Sequence, residues 1–262
     1  MIKLIVTDLD ETLLRTDKTI SVFTKNVLHN CREKGIKVIY ATGRGGGRLA
    51  DFAPTEMFDG RIVMNGAVAY SGEKLIYSRT VKMDLARDLL IACNERGLKT
   101  AAQSIEMHYS NFDVTSEWAS IKYFEITDFR HHNINAEKLY AVIQNDSDVE
   151  FIKEHIPTGL YLTVSRDKLA QIMHVEATKM KAIGALADYW GIKNEEIVSF
   201  GDDLNDIDML SGCGTGVAME NALAKVKAVA DEICAANDDD GVAKWIEKQV
   251  LTPAELITKF ES

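Results

Sequence analysis

Both ends of this chain alternate short apolar runs with helix-length amphipathic stretches, and several runs end on an acid or a hydroxyl. Ile2 to Thr7 is such a run and passes directly into Asp8. An apolar run without polar alternation suits a parallel strand covered on both faces. Ser21 to Glu33 then reads as a helix, with Val22, Leu28 and Cys31 on its apolar side and Gly35 at the expected stop. Ile36 to Ala41 is a second predicted strand. Thr42-Gly43-Arg44 and a glycine-rich turn lead from it into another predicted helix, and Ile62 to Met64 is a third strand. This order implies right-handed crossovers and a doubly wound parallel sheet of the α/β class.

After Ala67 the rhythm changes. Ala67 to Tyr70 and Lys74 to Ser78, split by Ser71-Gly72, predict a β-hairpin, and Met83 to Arg96 a helix stopped by Gly97. Leu160 to Ser165 and Leu169 to Val175 are further strands, whereas Leu139 to Gln144 suits either a helix or a strand. From Thr178 the alternation resumes. Helices are expected over Lys179–Trp190, Asp206–Leu210, Asn221–Ala228 and Gly241–Lys248, and strands over Ile197–Phe200, Gly216–Met219 and Asp231–Ala235. The expected organisation is a core of residues 1–80 and 177–262, with an α+β unit of residues 81–176 inserted between its halves.

The 262 residues suffice for a sizeable core, and only 3 are proline, which leaves little room for disordered linkers. The net charge of −10, from 30 Lys plus Arg against 40 Asp plus Glu, repels a phosphate backbone and argues against nucleic acid as a partner. A cationic pocket for one small phosphate is still compatible with that balance. Cys31, Cys93, Cys213 and Cys234 lie far apart, with no pair at zinc spacing, and read as buried thiols of a reducing compartment. The first apolar run is too short for a signal peptide, and no later stretch approaches a membrane span. The expectation is a cytoplasmic protein with no membrane partner; oligomeric state is not legible.

Ligands of doubly wound sheets sit beyond the carboxyl ends of the strands. Asp8 and Asp10 follow the first strand, Thr42 the second and Asp202 a later one, so their side chains converge if those strands are neighbours. One carboxylate of an Asp8/Asp10 pair can act as nucleophile while the other serves as acid and base, provided the chain bends between them. Acids after strands also form turns and N-caps. Thr42-Gly43-Arg44 offers a hydroxyl and backbone N–H groups at a helix start, as a phosphate cradle or as an ordinary cap. Gly201-Asp202-Asp203-Leu204-Asn205-Asp206 is dense in the oxygen ligands magnesium prefers, and Asp202 beside Asp8 would suit such a site. Lys179 and Lys181 open a helix where one ammonium could grip phosphate; position alone does not choose between them.

Taken together, Asp8-Leu9-Asp10-Glu11-Thr12-Leu13, Thr42-Gly43-Arg44, Lys179 and the Gly201 to Asp206 stretch resemble the haloacid dehalogenase superfamily, specifically the Cof-like phosphatases. Asn65-Gly66-Ala67 and the pieces from Asp208-Met209-Leu210 to Ala218-Met219-Glu220-Asn221-Ala222 are also similar to the family pattern. The resemblance implies a Rossmann-like core with an inserted mobile α+β cap that closes over the substrate. It implies a magnesium-dependent phosphatase acting through a phospho-aspartate on a small phosphorylated metabolite, with sugar phosphates as the leading class. In that scheme Asp8 is the nucleophile and a metal ligand. Asp10 is the general acid/base, with its main-chain oxygen on the metal, and Asp202 completes the metal site. Thr42, Gly43, Lys179 and Asn205 hold the phosphate, and Asp206 supports its neighbours. The family usually has glycine where Glu11 stands, and commonly glycine after its motif lysine, where this chain has Met180. A phosphomutase would use the same site, and a non-catalytic phosphate-binding module would be favoured had Asp8 or Asp10 been missing. In the middle block His108, Tyr109, Trp118 and His131 are candidates either to face a sugar or to pack.

Overall fold

Leu4, Ile5 and Val6 are wholly buried in strand β1 (Leu4–Thr7), as a central strand covered on both faces requires. The structure is a computed structural model that describes residues 1–45, 55–105, 107–119, 121–165 and 168–251. Helix α1 (Val22–Glu33) follows, capped by Ser21, whose side chain accepts from the Thr24 N–H at 3.0 Å. Its buried side is Thr24, Val27, Leu28 and Cys31, at the i, i+3, i+4, i+7 spacing of one helical face. Val22 does not belong to that face: six positions before Leu28 it points away, and it is 73% exposed. Strand β2 (Lys37–Ala41) and strand β3 (Gly60–Val63) come next, then the hairpin pair β4 (Val68–Ser71) and β5 (Lys74–Ser78). The helix expected after Arg44 lies outside the described residues.

The chain divides into two compact units, one running Ser78–Ala177 and the other built from the flanking stretches, up to Tyr77 and from Thr178 onward. The inner unit holds α2 (Met83–Glu95), β6 (Thr100–Gln103), β7 (His108–Ser110), β8 (Phe124–Ile126), β9 (Lys138–Val142), α3 (Asp146–His155), β10 (Leu160–Val164) and β11 (Leu169–His174). Its described strands form one sheet in the order β10-β11-β9-β6-β7-β8, antiparallel except for β7 and β8. The ambiguous Leu139 stretch is therefore a strand, because its neighbours on both sides need its backbone groups. Leu139 and Ala141 pack with Leu89, Leu90 and Cys93 of α2, each buried Leu contributing roughly 1.5–3 kcal/mol. Tyr109 packs against the same core. By strand alternation Lys138 and Tyr140 take the opposite face, paired with Gln103 and Ala101.

The outer unit resumes with α4 (Lys179–Trp190), β12 (Ile197–Gly201), α5 (Ile207–Gly212), β13 (Thr215–Met219), α6 (Ala224–Lys227), β14 (Glu232–Cys234) and α7 (Gly241–Ile246). Helix α6 is shorter than the sequence predicts because Asn221 serves the loop after β1 instead. Its Nδ2 donates to the Glu11 carbonyl at 2.7 Å, and its Oδ1 accepts from the Asn237 N–H at 3.1 Å. The described strands form an eight-stranded sheet ordered β14-β13-β12-β1-β2-β3-β4-β5. From β14 to β3 every pairing is parallel, while β4 runs antiparallel to β3. One half of the sheet grows outward from β1 through β2, the other through β12. The order reverses at β1, where a crevice opens at the carboxyl ends of the strands. This is the Rossmann-like α/β core that the resemblance implied. Ala182, Ile183, Leu186 and Ala187 of α4 pack beneath it on Leu4, Val6, Ile39 and Ile62.

Candidate active site

Asp8, Thr42 and Asp202 stand directly after β1, β2 and β12, so sheet register alone brings them together. The Asp8 N–H donates to the Phe200 carbonyl at 2.9 Å, and the Thr42 N–H to the Ile62 carbonyl at 2.9 Å. One ligand oxygen from each of Asp8, Asp202 and Asp206 lies within 4.8 Å of the others, and all three residues are buried. Lys179, at the first turn of α4, is buried among them. Its Nζ stands 2.5 Å from Asp8 Oδ1 and 2.5 Å from Asp206 Oδ1. Lys181 is exposed, and its N–H goes to the Thr178 hydroxyl that caps the helix, at 3.3 Å. Of the two lysines at the start of this helix, Lys179 is the one buried among the carboxylates.

Each carboxylate has a distinct setting. Burial dominates at Asp8 and pushes its carboxyl well up; Lys179 pulls against this, while Asp206 and Asp202 add repulsion. At Asp202 burial again leads, raising the pKa to about 7 despite the Thr12 hydroxyl, which donates to Oδ1 at 2.8 Å. Burial would strip Lys179 of its proton, but two flanking carboxylates outweigh it and hold the ammonium charged. Asp206 is fully engaged: Oδ1 takes Lys179, and Oδ2 accepts the N–H groups of Asp202 and Asp203 at 3.0 and 3.1 Å. It thus fixes both the lysine and the loop that carries Asp202.

Asp10 stands apart from this cluster. After Asp8 the chain enters a π-type turn over Leu9–Leu13 in which Asp10 is extended and Glu11 left-handed, at φ 56°; this is the bend an Asp8/Asp10 pair needs. The Asp10 carboxylate is gripped by Arg44, with Nε on Oδ2 at 2.7 Å and Nη2 on Oδ1 at 2.5 Å, and Lys18 Nζ lies 3.3 Å away. Partial burial acts to raise its pKa, yet Arg44 and then Lys18 prevail and hold the carboxyl below its usual range.

On the far side of the crevice, Thr42 Oγ1 accepts the Arg44 N–H at 3.2 Å, and Asn205 Nδ2 donates to Asn65 Oδ1 at 3.0 Å. Asn65 in turn donates its N–H to the Thr42 carbonyl at 3.0 Å. A Cβ on Gly43 would stand 2.6 Å from Asn65 Oδ1, so a larger residue there must displace the Asn65 amide. Gly66, at φ 100°, lets the same loop pass against the Thr178 backbone at the start of α4. Thr12, Arg44 and Asn65 all lie inside the quoted motifs, yet the resemblance implies no role for any of them. Asn65 was visible in one respect, as an Asn-Gly step after a strand, where left-handed backbone is common. In the inner unit His108 Nδ1 is hydrogen-bonded to the Tyr140 hydroxyl at 2.9 Å, Trp118 meets Tyr140 edge-on at 5.4 Å, and His131 is exposed.

Residues 5–246 match the haloacid dehalogenase-like hydrolases. The chain is 26% identical to the Bacillus subtilis 5-amino-6-(5-phospho-D-ribitylamino)uracil phosphatase YitU, over 94% of this chain and 96% of that protein. It is 27% identical to the Bacillus subtilis phosphatase YwpJ, over 94% and 99% respectively. Among solved structures, the subclass IIB sugar phosphatase BT4131 superposes with a TM-score of 0.81 at 26% identity, covering 94% of this chain and 98% of that one. With the acid-bearing strand ends, the lysine and the sheet order all in place, the chain belongs to the haloacid dehalogenase-like hydrolase family and, within it, to the Cof-like phosphatases.

Proposed function

We propose that the chain is a magnesium-dependent phosphatase that hydrolyses small phosphomonoesters, sugar phosphates first among them, through a phospho-aspartate on Asp8. The observation that carries this reading is the buried cluster of Asp8, Asp202 and Asp206 around Lys179. When ionised, three carboxylates against one ammonium leave an excess of two negative charges, and every donor is a hard oxygen, so a divalent ion such as magnesium fits. Asp8, Asp202 and the main-chain oxygen of Asp10 would hold it, Asp206 being committed to Lys179 and the loop N–H groups. When bound, the ion would offset repulsion between these acids and the phosphoryl oxygens.

The chain's own groups then divide the work. Lys179, the Thr42 hydroxyl, the Gly43 N–H and Asn205 hold the phosphoryl oxygens in line with Asp8. An Asp8 oxygen attacks phosphorus, the bond to the ester oxygen breaks, and Asp10, which takes up a proton from solvent once Arg44 has turned to the phosphate, gives that proton to the leaving oxygen. Water then cleaves the acyl phosphate while Asp10 takes the proton back, releasing inorganic phosphate and restoring Asp8. A phosphoryl dianion entering beside Gly43 competes for Arg44, and this frees the Asp10 oxygens for proton transfer.

The inner unit serves in this reading as the cap that selects the leaving group, with His108 and Trp118, which both pack on the buried Tyr140, as the residues to meet it. The four cysteines are free and buried, which supports a reducing, cytoplasmic setting. Among the described residues no helix is long and apolar enough to cross a membrane. The test is p-nitrophenyl phosphate hydrolysis with and without magnesium, followed by a panel of phosphorylated metabolites. Magnesium-dependent phosphate release is expected, and none from well-folded protein would overturn the reading.

A further inference from the structure

Two non-glycine residues in the loop after β1 have left-handed backbone, Glu11 at φ 56° and Lys18 at φ 64°. An L side chain resists that region, so the surroundings must impose it. Here the two strained residues meet through their side chains: Lys18 Nζ lies 2.9 Å from Glu11 Oε1, and the same ammonium lies 3.3 Å from Asp10 Oδ1. Segments far along the chain fix both partners. Asn221 donates to the Glu11 carbonyl at 2.7 Å, and Asn237 Nδ2 approaches Glu11 Oε2 at 3.4 Å. The turn bearing Lys18 is closed by its N–H on the Arg15 carbonyl at 2.8 Å, and Arg15 is tied to Asp240 at 2.7 Å.

We infer that Glu11 is a positioning residue: it holds the Lys18 ammonium against Asp10, on the carboxylate that Arg44 also grips. The inference rests on the reading of Asp10 as acid/base given above. It accounts for an acid at a backbone position that suits glycine better. With Arg44 drawn to the phosphoryl group, Lys18 is the cation left to keep Asp10 aligned.

Glycine accepts φ 56° without strain, so Glu11→Gly keeps the turn and removes the side chain with its contacts to Lys18 and Asn237. Its kcat is expected to fall about tenfold, the scale of a small misplacement of a reacting group, with KM nearly unchanged. Its thermal midpoint should stay level or rise. Glu11→Gln, which retains an acceptor for Lys18, should recover most of the rate, and Glu11→Gly should add little to Lys18→Met. Wild-type kcat in Glu11→Gly would overturn the inference, as would a rate loss that tracks a lowered midpoint. Crystal structures of wild type and Glu11→Gly separate this inference from the functional reading. An inactive wild type sinks the phosphatase proposal, whereas Lys18 still seated on Asp10 in Glu11→Gly sinks the positioning role.

Discussion

Lys179 Nζ lies 2.5 Å from Asp8 Oδ1, although the two residues are 171 positions apart and belong to different halves of the divided outer unit. The lysine is buried and its second contact is Asp206, so one ammonium serves two acids. Removing it would leave both carboxylates uncompensated. Lys179→Met is expected to lose roughly 3–5 kcal/mol of stability, as when one partner of a buried pair is deleted. Urea unfolding measures this, and magnesium should restore part of the loss. A midpoint equal to wild type would contradict the account of the cluster.

Asp8→Asn has the opposite signature. It replaces an acid whose ionisation is disfavoured by burial and by two neighbouring carboxylates, so the metal-free protein should be as stable as wild type or more so. Turnover should vanish, because an amide is a far poorer nucleophile than a carboxylate. Substantial residual hydrolysis in the purified variant would remove Asp8 from the nucleophile's role.

For Asp10→Ala the expected change is in rate. General acid and base work contributes about 10²–10⁴-fold, and it is done in the transition state, so kcat should fall on that scale with little change in KM. Steady-state kinetics on one substrate suffices. A rise in KM at constant kcat would mean that Asp10 only helps to bind.

Magnesium and protons should compete at Asp202. Its folded pKa of about 7 lies above the ordinary value of 3.8, so between those limits the folded chain keeps a proton that the unfolded chain has released. Stability of the metal-free protein therefore declines as pH rises through that window, and this contribution is fully lost above it. Metal ligation needs the ionised carboxylate, so the rise in thermal midpoint on adding magnesium should be larger near about pH 8 than near about pH 5, and chelation should reverse it. An equal rise at both values would place the ion elsewhere.

The alternation of apolar runs and amphipathic stretches was enough to read the doubly wound core, and Asp8, Thr42 and Asp202 could be placed at strand ends by counting along the chain. That worked because a strand's burial and a helix's face are written in local periodicity. Periodicity failed where side chains answer to distant partners. Val22 looked like part of the α1 core and faces solvent, while Asn221 left a predicted helix for the Glu11 loop. The same limit applied at the site. Lys179 and Lys181 are equivalent as letters, and only the docking of α4 beneath β1 buries one of them between Asp8 and Asp206. Arg44 on Asp10, Thr12 on Asp202 and Asn65 on Asn205 are contacts across 34, 190 and 140 positions. Distances of that kind depend on sheet order and on how each helix seats, neither of which is carried by any single stretch of the chain.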